Sequence, residues 1–161
     1  MKELVFSMML WIHNVTGYTM PEPPEISLVS KETMLFYAYG CDLEPIPEEN
    51  IELCNTRKDW NLNEDGPLGM YDSIKKTIIL PADFDVNSVH DKSILFHELV
   101  HHVQYANNLH NTVECKPKLE KEAYDLQDKW LQKKHNTNLY DTVGMNEVFY
   151  FLKTECLFRF Y

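Results

Sequence analysis

The chain has no run of lysine or arginine longer than two residues, and its formal net charge is −10. Phosphate backbones and anionic lipid headgroups are held by clustered positive charge, so nucleic acid and a charged membrane surface are poor partners for it. It also lacks any apolar stretch of the roughly 20 residues that a membrane-spanning helix needs. The N-terminal MKELVFSMMLWIHN comes nearest, but Ser7 interrupts it, His13 and Asn14 follow, and there is no small-x-small cleavage site. It reads as an amphipathic helix with Leu4, Met8, Trp11 and Ile12 on one side, not as a signal peptide. The expectation is a soluble protein, cytoplasmic, or periplasmic or secreted if a signal was removed upstream. No internal repeat and no low-complexity tract divides the 161 residues, so residues 1–161 are expected to form a single domain and a monomer. The four cysteines show no C-x-x-C spacing. They allow two disulfides, with Cys41–Cys54 and Cys115–Cys156 the first pairing to test, or four reduced thiols.

What is present is a mixture of short strand patterns and longer helix patterns. A proline-broken connector leads into a short strand at Ile26–Val29, and KETMLFYAYG suits a short helix closed by Gly40. Residues 41–66 are polar and turn-rich. The segment GMYDSIKKTIIL reads as a hairpin with strands at Gly69–Asp72 and Thr77–Leu80, stopped by Pro81. Ser88 followed by Asp91 is a helix start signal, and the helix it opens should run to about Asn107. Pro117 belongs to the first turn of the next helix, which ends in the basic KKH. A last helix is expected over Met145–Cys156, with Met145, Val148, Phe149 and Leu152 packed on the body and Phe158, Phe160 and Tyr161 beyond it. Those three either complete the core or lie over a cleft.

The chemistry concentrates in SILFHELVHHVQY, residues 93 to 105. His97-Glu98-Leu99-Val100-His101 is an H-E-x-x-H. Residues four apart stack on one helix face, so both imidazoles can reach one ion while Glu98 stands beside it. At about 100° per residue, Leu95, Phe96, Leu99, Val100, Val103 and Ala106 share one face. His97 and His101 fall opposite, with Glu98 and Tyr105 beside them. His102 lies at the edge of the arc, outside ligand reach, and reads as a surface histidine or one standing behind the ligands.

Two histidines leave a catalytic zinc one protein ligand short. A third histidine in H-x-x-G-x-x-H spacing is absent, because Gln104 and Asn107 hold the required positions. A glutamate from the following helix is the other solution, and Glu120 and Glu122 compete for it. Leu119, Ala123, Leu126, Trp130 and Leu131 define that helix's buried arc. Glu120 falls inside the arc next to Gln127, and Glu122 falls at its margin near Lys129. A carboxylate on a buried face is costly unless it is paired or bound to metal, which selects Glu120.

His97-Glu98-x-x-His101 followed by Glu120-x-x-Ala123 resembles the gluzincin branch of zinc metallopeptidases, and the short chain is similar to the compact minigluzincins. The resemblance covers roughly residues 69 to 131. It implies a small zincin-like α+β domain, with a short sheet or hairpin packed on the H-E-x-x-H helix and the glutamate ligand on the helix that follows. It implies one Zn²⁺ on His97, His101 and Glu120, Glu98 as general base, and a peptide or protein as substrate. The alternative is a non-catalytic zinc-binding module on the same scaffold. Where many gluzincins carry an acid four residues after the ligand glutamate, this chain has Tyr124. Tyr105, His110, Tyr124, Tyr140 and Tyr150 all remain candidates for stabilising the transition state, and Thr77–Leu80 reads either as an exposed edge strand for an extended substrate or as a core strand.

Overall fold

The structure, a computed structural model, describes residues 1–42, 44–46, 48–56 and 66–157. It is an α+β protein in the order α1 (Lys2–Thr16), β1 (Glu25–Val29), α2 (Lys31–Ala38), α3 (Ile51–Thr56), β2 (Met70–Asp72), β3 (Thr77–Pro81), α4 (Val89–Ala106), α5 (Pro117–His135), α6 (Leu139–Val143) and α7 (Glu147–Thr154). Residues 57–65 and 158–161 lie outside the described residues, and with them Phe158, Phe160 and Tyr161. None of the described helices is long and apolar enough to cross a membrane.

The sheet decides between two readings of Thr77–Leu80. Its order is β1-β3-β2, with β1 parallel and β2 antiparallel to β3. Thr77–Leu80 is therefore a central core strand and not an exposed edge. Its Ile78, Ile79 and Leu80 are all buried, as an unbroken apolar run in a doubly covered strand should be. The partner on its far side, β1, comes from far upstream in the chain, which local spacing could not reveal. The edges belong to β1 and β2, and the edge along the cleft is that of β2. Its hairpin turn is held by Asp72, whose Oδ1 accepts from the backbone N–H groups of Ile74 and Lys75, each at 2.9 Å.

The helices pack around Phe96 on α4, which is fully buried. Its ring stacks on Trp130 of α5 at 4.9 Å and meets Trp11 of α1 edge-on at 5.4 Å. Burial of a ring of this size contributes on the order of 2–3 kcal/mol. α1 turns Val5, Met8, Met9 and Ile12 inward, while Leu4 and Trp11 are only partly covered. α4 starts at Ser88, whose Oγ accepts from the Asp91 N–H at 3.2 Å. Pro117 opens α5 as expected. A smaller cluster of Leu35, Cys41 and Cys54 forms under α2 and α3, in a segment expected to be irregular. Both disulfides, Cys41–Cys54 and Cys115–Cys156, are present.

The C-terminal helix differs from expectation. α7 is shorter than Met145–Cys156, and α6 precedes it. Val148, Phe149 and Leu152 are more than half exposed instead of packed. The apolar arc of α5 is already occupied by α4, so α7 meets a polar surface and docks through polar contacts. The Tyr150 hydroxyl donates to Asp125, Lys121 donates to the Tyr150 oxygen at 3.0 Å, and Lys118 pairs with Glu155 at 2.8 Å. Thr154 is the buried residue of the seam.

Candidate metal centre

α4 carries His97, Glu98 and His101 on the face opposite its apolar stripe, and α5 crosses it with Glu120 toward them. The Nε2 atoms of His97 and His101 lie 3.1 Å apart. Glu120 Oε2 is 3.2 Å from His97 Nε2, and its Oε1 is 3.3 Å from His101 Nε2. These three side chains form a group that can hold a metal ion. An ion held about 2.0–2.1 Å from each donor in a tetrahedral array separates neighbouring donors by about 3.3 Å, so the spacing fits zinc. The donor chemistry fits as well. Two imidazole nitrogens and a carboxylate that face one another at this range repel unless a cation, a proton or a metal, stands between them.

The electrostatics follow from that crowding. Burial pulls the His101 pKa down, but the Glu120 hydrogen bond and the charges of Glu98 and Glu120 override it and push it up to about 9. Burial would raise the Glu120 carboxyl, yet its hydrogen bonds to His101 and His97 hold it well below the usual carboxylate range. Burial pushes Glu98 up, the two histidines pull it part of the way back, and Glu120 adds to the rise. Among the described residues nothing hydrogen-bonds the Glu98 carboxyl, which faces a cleft of about 480 Å³. Gly69 lies flat against it: a Cβ there would stand 3.1 Å from Glu98 Cγ and 2.7 Å from Ile94 Cγ2. β2 thus runs along the cleft with its free edge, and Gly69, Met70 and Tyr71 line it.

Of the five candidates for transition-state stabilisation, Tyr105 and Tyr124 line the cleft. The Tyr124 ring lies 4.4 Å from that of His97. Burial, then the charges of Glu120 and Glu98, raise its pKa to about 12, so its hydroxyl keeps its proton at neutral pH. His110 stacks on Tyr105, Tyr140 is exposed, and Tyr150 is engaged with Asp125.

His102 is not a surface residue and touches none of the three donors. It is buried, its Nε2 donates to the Glu22 carbonyl at 2.8 Å, and its Nδ1 accepts from the Tyr71 hydroxyl at 3.0 Å. It ties the connector before β1 to the edge strand. Glu122, the rejected ligand, takes the Tyr18 hydroxyl at 2.5 Å and the Gln104 amide at 2.9 Å. Sequence reasoning missed the two glutamines behind the histidines. Gln127 Oε1 lies 3.0 Å from His97 Nδ1, and Gln104 Oε1 lies 2.9 Å from His101 Nδ1. Their signal was there: Gln127 falls within the buried arc of α5, and Gln104 falls beside His97 and His101 on the wheel of α4.

The fold and the site together define a small α+β protein with a two-histidine, one-glutamate group facing an open cleft. The chain belongs to the family described as "Domain of unknown function (DUF6647)", whose profile matches residues 1–159. No curated protein and no solved structure matches it.

Proposed function

We propose that the protein is a zinc-dependent hydrolase of the gluzincin type that cleaves peptide bonds. The observation that carries this reading is the convergence of three metal-type donors at 3.1–3.3 Å beside a buried, unbonded carboxyl in an open cleft. His97, His101 and Glu120 would hold a zinc ion, which would supply Lewis-acid chemistry at the substrate carbonyl. Glu98 is placed to take a proton from an attacking water and to return it to the leaving amine. A carboxyl raised above its ordinary value by burial suits both halves of that exchange. The free edge of β2 accepts an extended peptide as an added strand, which aims the scissile carbonyl at the donors. Tyr124, protonated and beside His97, donates a hydrogen bond to the charge that develops on the carbonyl oxygen.

The test is a set of three variants read for zinc content and for cleavage of an unfolded protein substrate. Glu98→Gln should keep its zinc and lose hydrolysis by about 10²-fold or more, the scale of a lost general base. Glu120→Gln should lose zinc, whereas Glu122→Gln should bind it within about tenfold of wild type, because Glu122 touches a positioning glutamine and no ligand. Wild-type protein that binds zinc tightly but cleaves nothing would favour a non-catalytic metal-binding module. A Glu98→Gln variant without zinc would overturn the assigned geometry.

A further inference from the structure

We infer that Gln104 and Gln127 are positioning residues that lock both histidines in the tautomer the metal requires, in place of the acid that Tyr124 displaces. The inference rests on the metal-holding reading of the site. An amide's oxygen and nitrogen are told apart by their partners, and here the partners leave one assignment. The Gln127 nitrogen lies 3.0 Å from the Ser93 carbonyl, which can only accept, so that end of the amide is the NH₂. Its oxygen therefore faces His97 Nδ1, which must carry the proton and donate. The Gln104 nitrogen is fixed twice, by the Leu119 carbonyl at 3.0 Å and by the Glu122 carboxylate at 2.9 Å. Its oxygen faces His101 Nδ1, which donates in turn. With both Nδ1 protons engaged by the glutamines, the Nε2 atoms that face Glu120 are the ones a metal can take by displacing any proton held there. Each glutamine is anchored at the far end by backbone of the two crossing helices: Ser93 on α4 for Gln127 of α5, and Leu119 on α5 for Gln104 of α4. The same hydrogen bonds that clamp the helices together set the tautomers.

A neutral amide orients an imidazole without lending it the extra basicity that a carboxylate partner supplies. Both glutamines are almost fully buried, at 2% and 0% exposure, so no water can take over the acceptor role when one is removed. His102 shows the contrast on the same helix. With a carbonyl on Nε2 and a hydroxyl on Nδ1 it takes the opposite tautomer and is unavailable to a metal through Nε2.

The experiment compares wild type with Gln127→Leu, Gln127→Glu and Gln104→Leu in the full chain, reading zinc affinity by chelator competition. In metal-free protein it reads whether His97 Nδ1 carries a proton, by long-range ¹H–¹⁵N correlation. Wild type should show His97 with Nδ1 protonated. The leucine variants should bind zinc about 10–100-fold more weakly. Gln127→Leu should also lose the fixed tautomer. Gln127→Glu keeps an acceptor on His97 Nδ1, so it should keep the tautomer and hold zinc at least as tightly as wild type. A packing role alone predicts the reverse order, with leucine better tolerated than a buried glutamate, and that result would overturn the inference. So would wild-type His97 with Nδ1 bare, a reading that holds even if a variant fails to fold. Wild type with the expected tautomer but no zinc affinity would count against the metal reading and leave the clamp standing.

Discussion

At the scale of single residues, the proposed centre would set a proton and a metal in competition for one place. In the metal-free protein His101 titrates near 9, because the Glu120 hydrogen bond and two carboxylates outweigh its burial. Its folded pKa lies above the unfolded value, so the pair stabilises the metal-free fold fully below about 6.5 and ceases to do so as pH rises through about 9. Zinc needs the same nitrogen bare. The expected outcome is opposite pH trends. From pH 6.5 to 9 this pair's contribution to metal-free stability falls, while apparent zinc affinity rises by about tenfold per pH unit and levels off near 9. Thermal melts with and without zinc across that range give both trends. Calorimetry in two buffers of different ionisation enthalpy should count about one proton released per zinc near pH 7.5. Zinc affinity independent of pH over this window would refute the assignment of His101 as a ligand.

At the scale of elements, the site depends on how closely the edge strand approaches α4. Gly69 is adjacent to β2, and no larger residue fits without displacing Ile94 or Glu98. The constraint is close approach, not backbone strain. Gly69→Ala should cost about 1–3 kcal/mol, the usual range for overpacking, measured by urea unfolding. No ligand sits on β2, so zinc affinity should stay unchanged while hydrolysis falls, because the displaced strand either moves Glu98 or widens the cleft. A variant that unfolds as wild type does and retains full activity would show that the strand is free to move and does not aim the substrate.

At the scale of the whole molecule, the cleft wall opposite the helices rests on a weakly held segment. α7 meets α5 through a polar seam, and Val143, Met145 and Lys153 of this region line the cleft. What pins it covalently is Cys115–Cys156, which joins the chain just before α5 to the end of α7 across 41 residues of sequence. Cys41–Cys54 spans 13. Loop-closure entropy assigns about 4 kcal/mol to the first and about 3 kcal/mol to the second. The Cys115→Ser/Cys156→Ser variant should therefore lose more stability in denaturant than Cys41→Ser/Cys54→Ser. It should also show faster amide exchange across residues 147–154. Equal exchange in the two variants would mean that the polar seam alone holds the helix.

Much of the centre could be read before any fold was known. His97, Glu98 and His101 depend only on helical spacing, and α4 forms because Ser88 caps it and its apolar stripe faces the core. Glu120 over Glu122 followed from a single-helix wheel, since the two differ by roughly 200° around α5. The two hairpin strands were legible for the same reason, since each follows from near neighbours along the chain, whereas the cysteines left two disulfides or four thiols open.

Only the tertiary structure decided that Thr77–Leu80 is the central strand, because β1 reaches β3 from a distant part of the sequence and periodicity is blind to such pairing. It decided where His102 belongs, because its partners are Tyr71 and the Glu22 carbonyl on other elements. It left the apolar side of α7 exposed because α5 had no apolar surface left to offer. It assigned Gln104 and Gln127, because an amide's role is fixed by which carbonyl lies at its far end. Local sequence sets what a segment can do by itself. The choice among partners is set by which surfaces remain once the larger apolar faces have met.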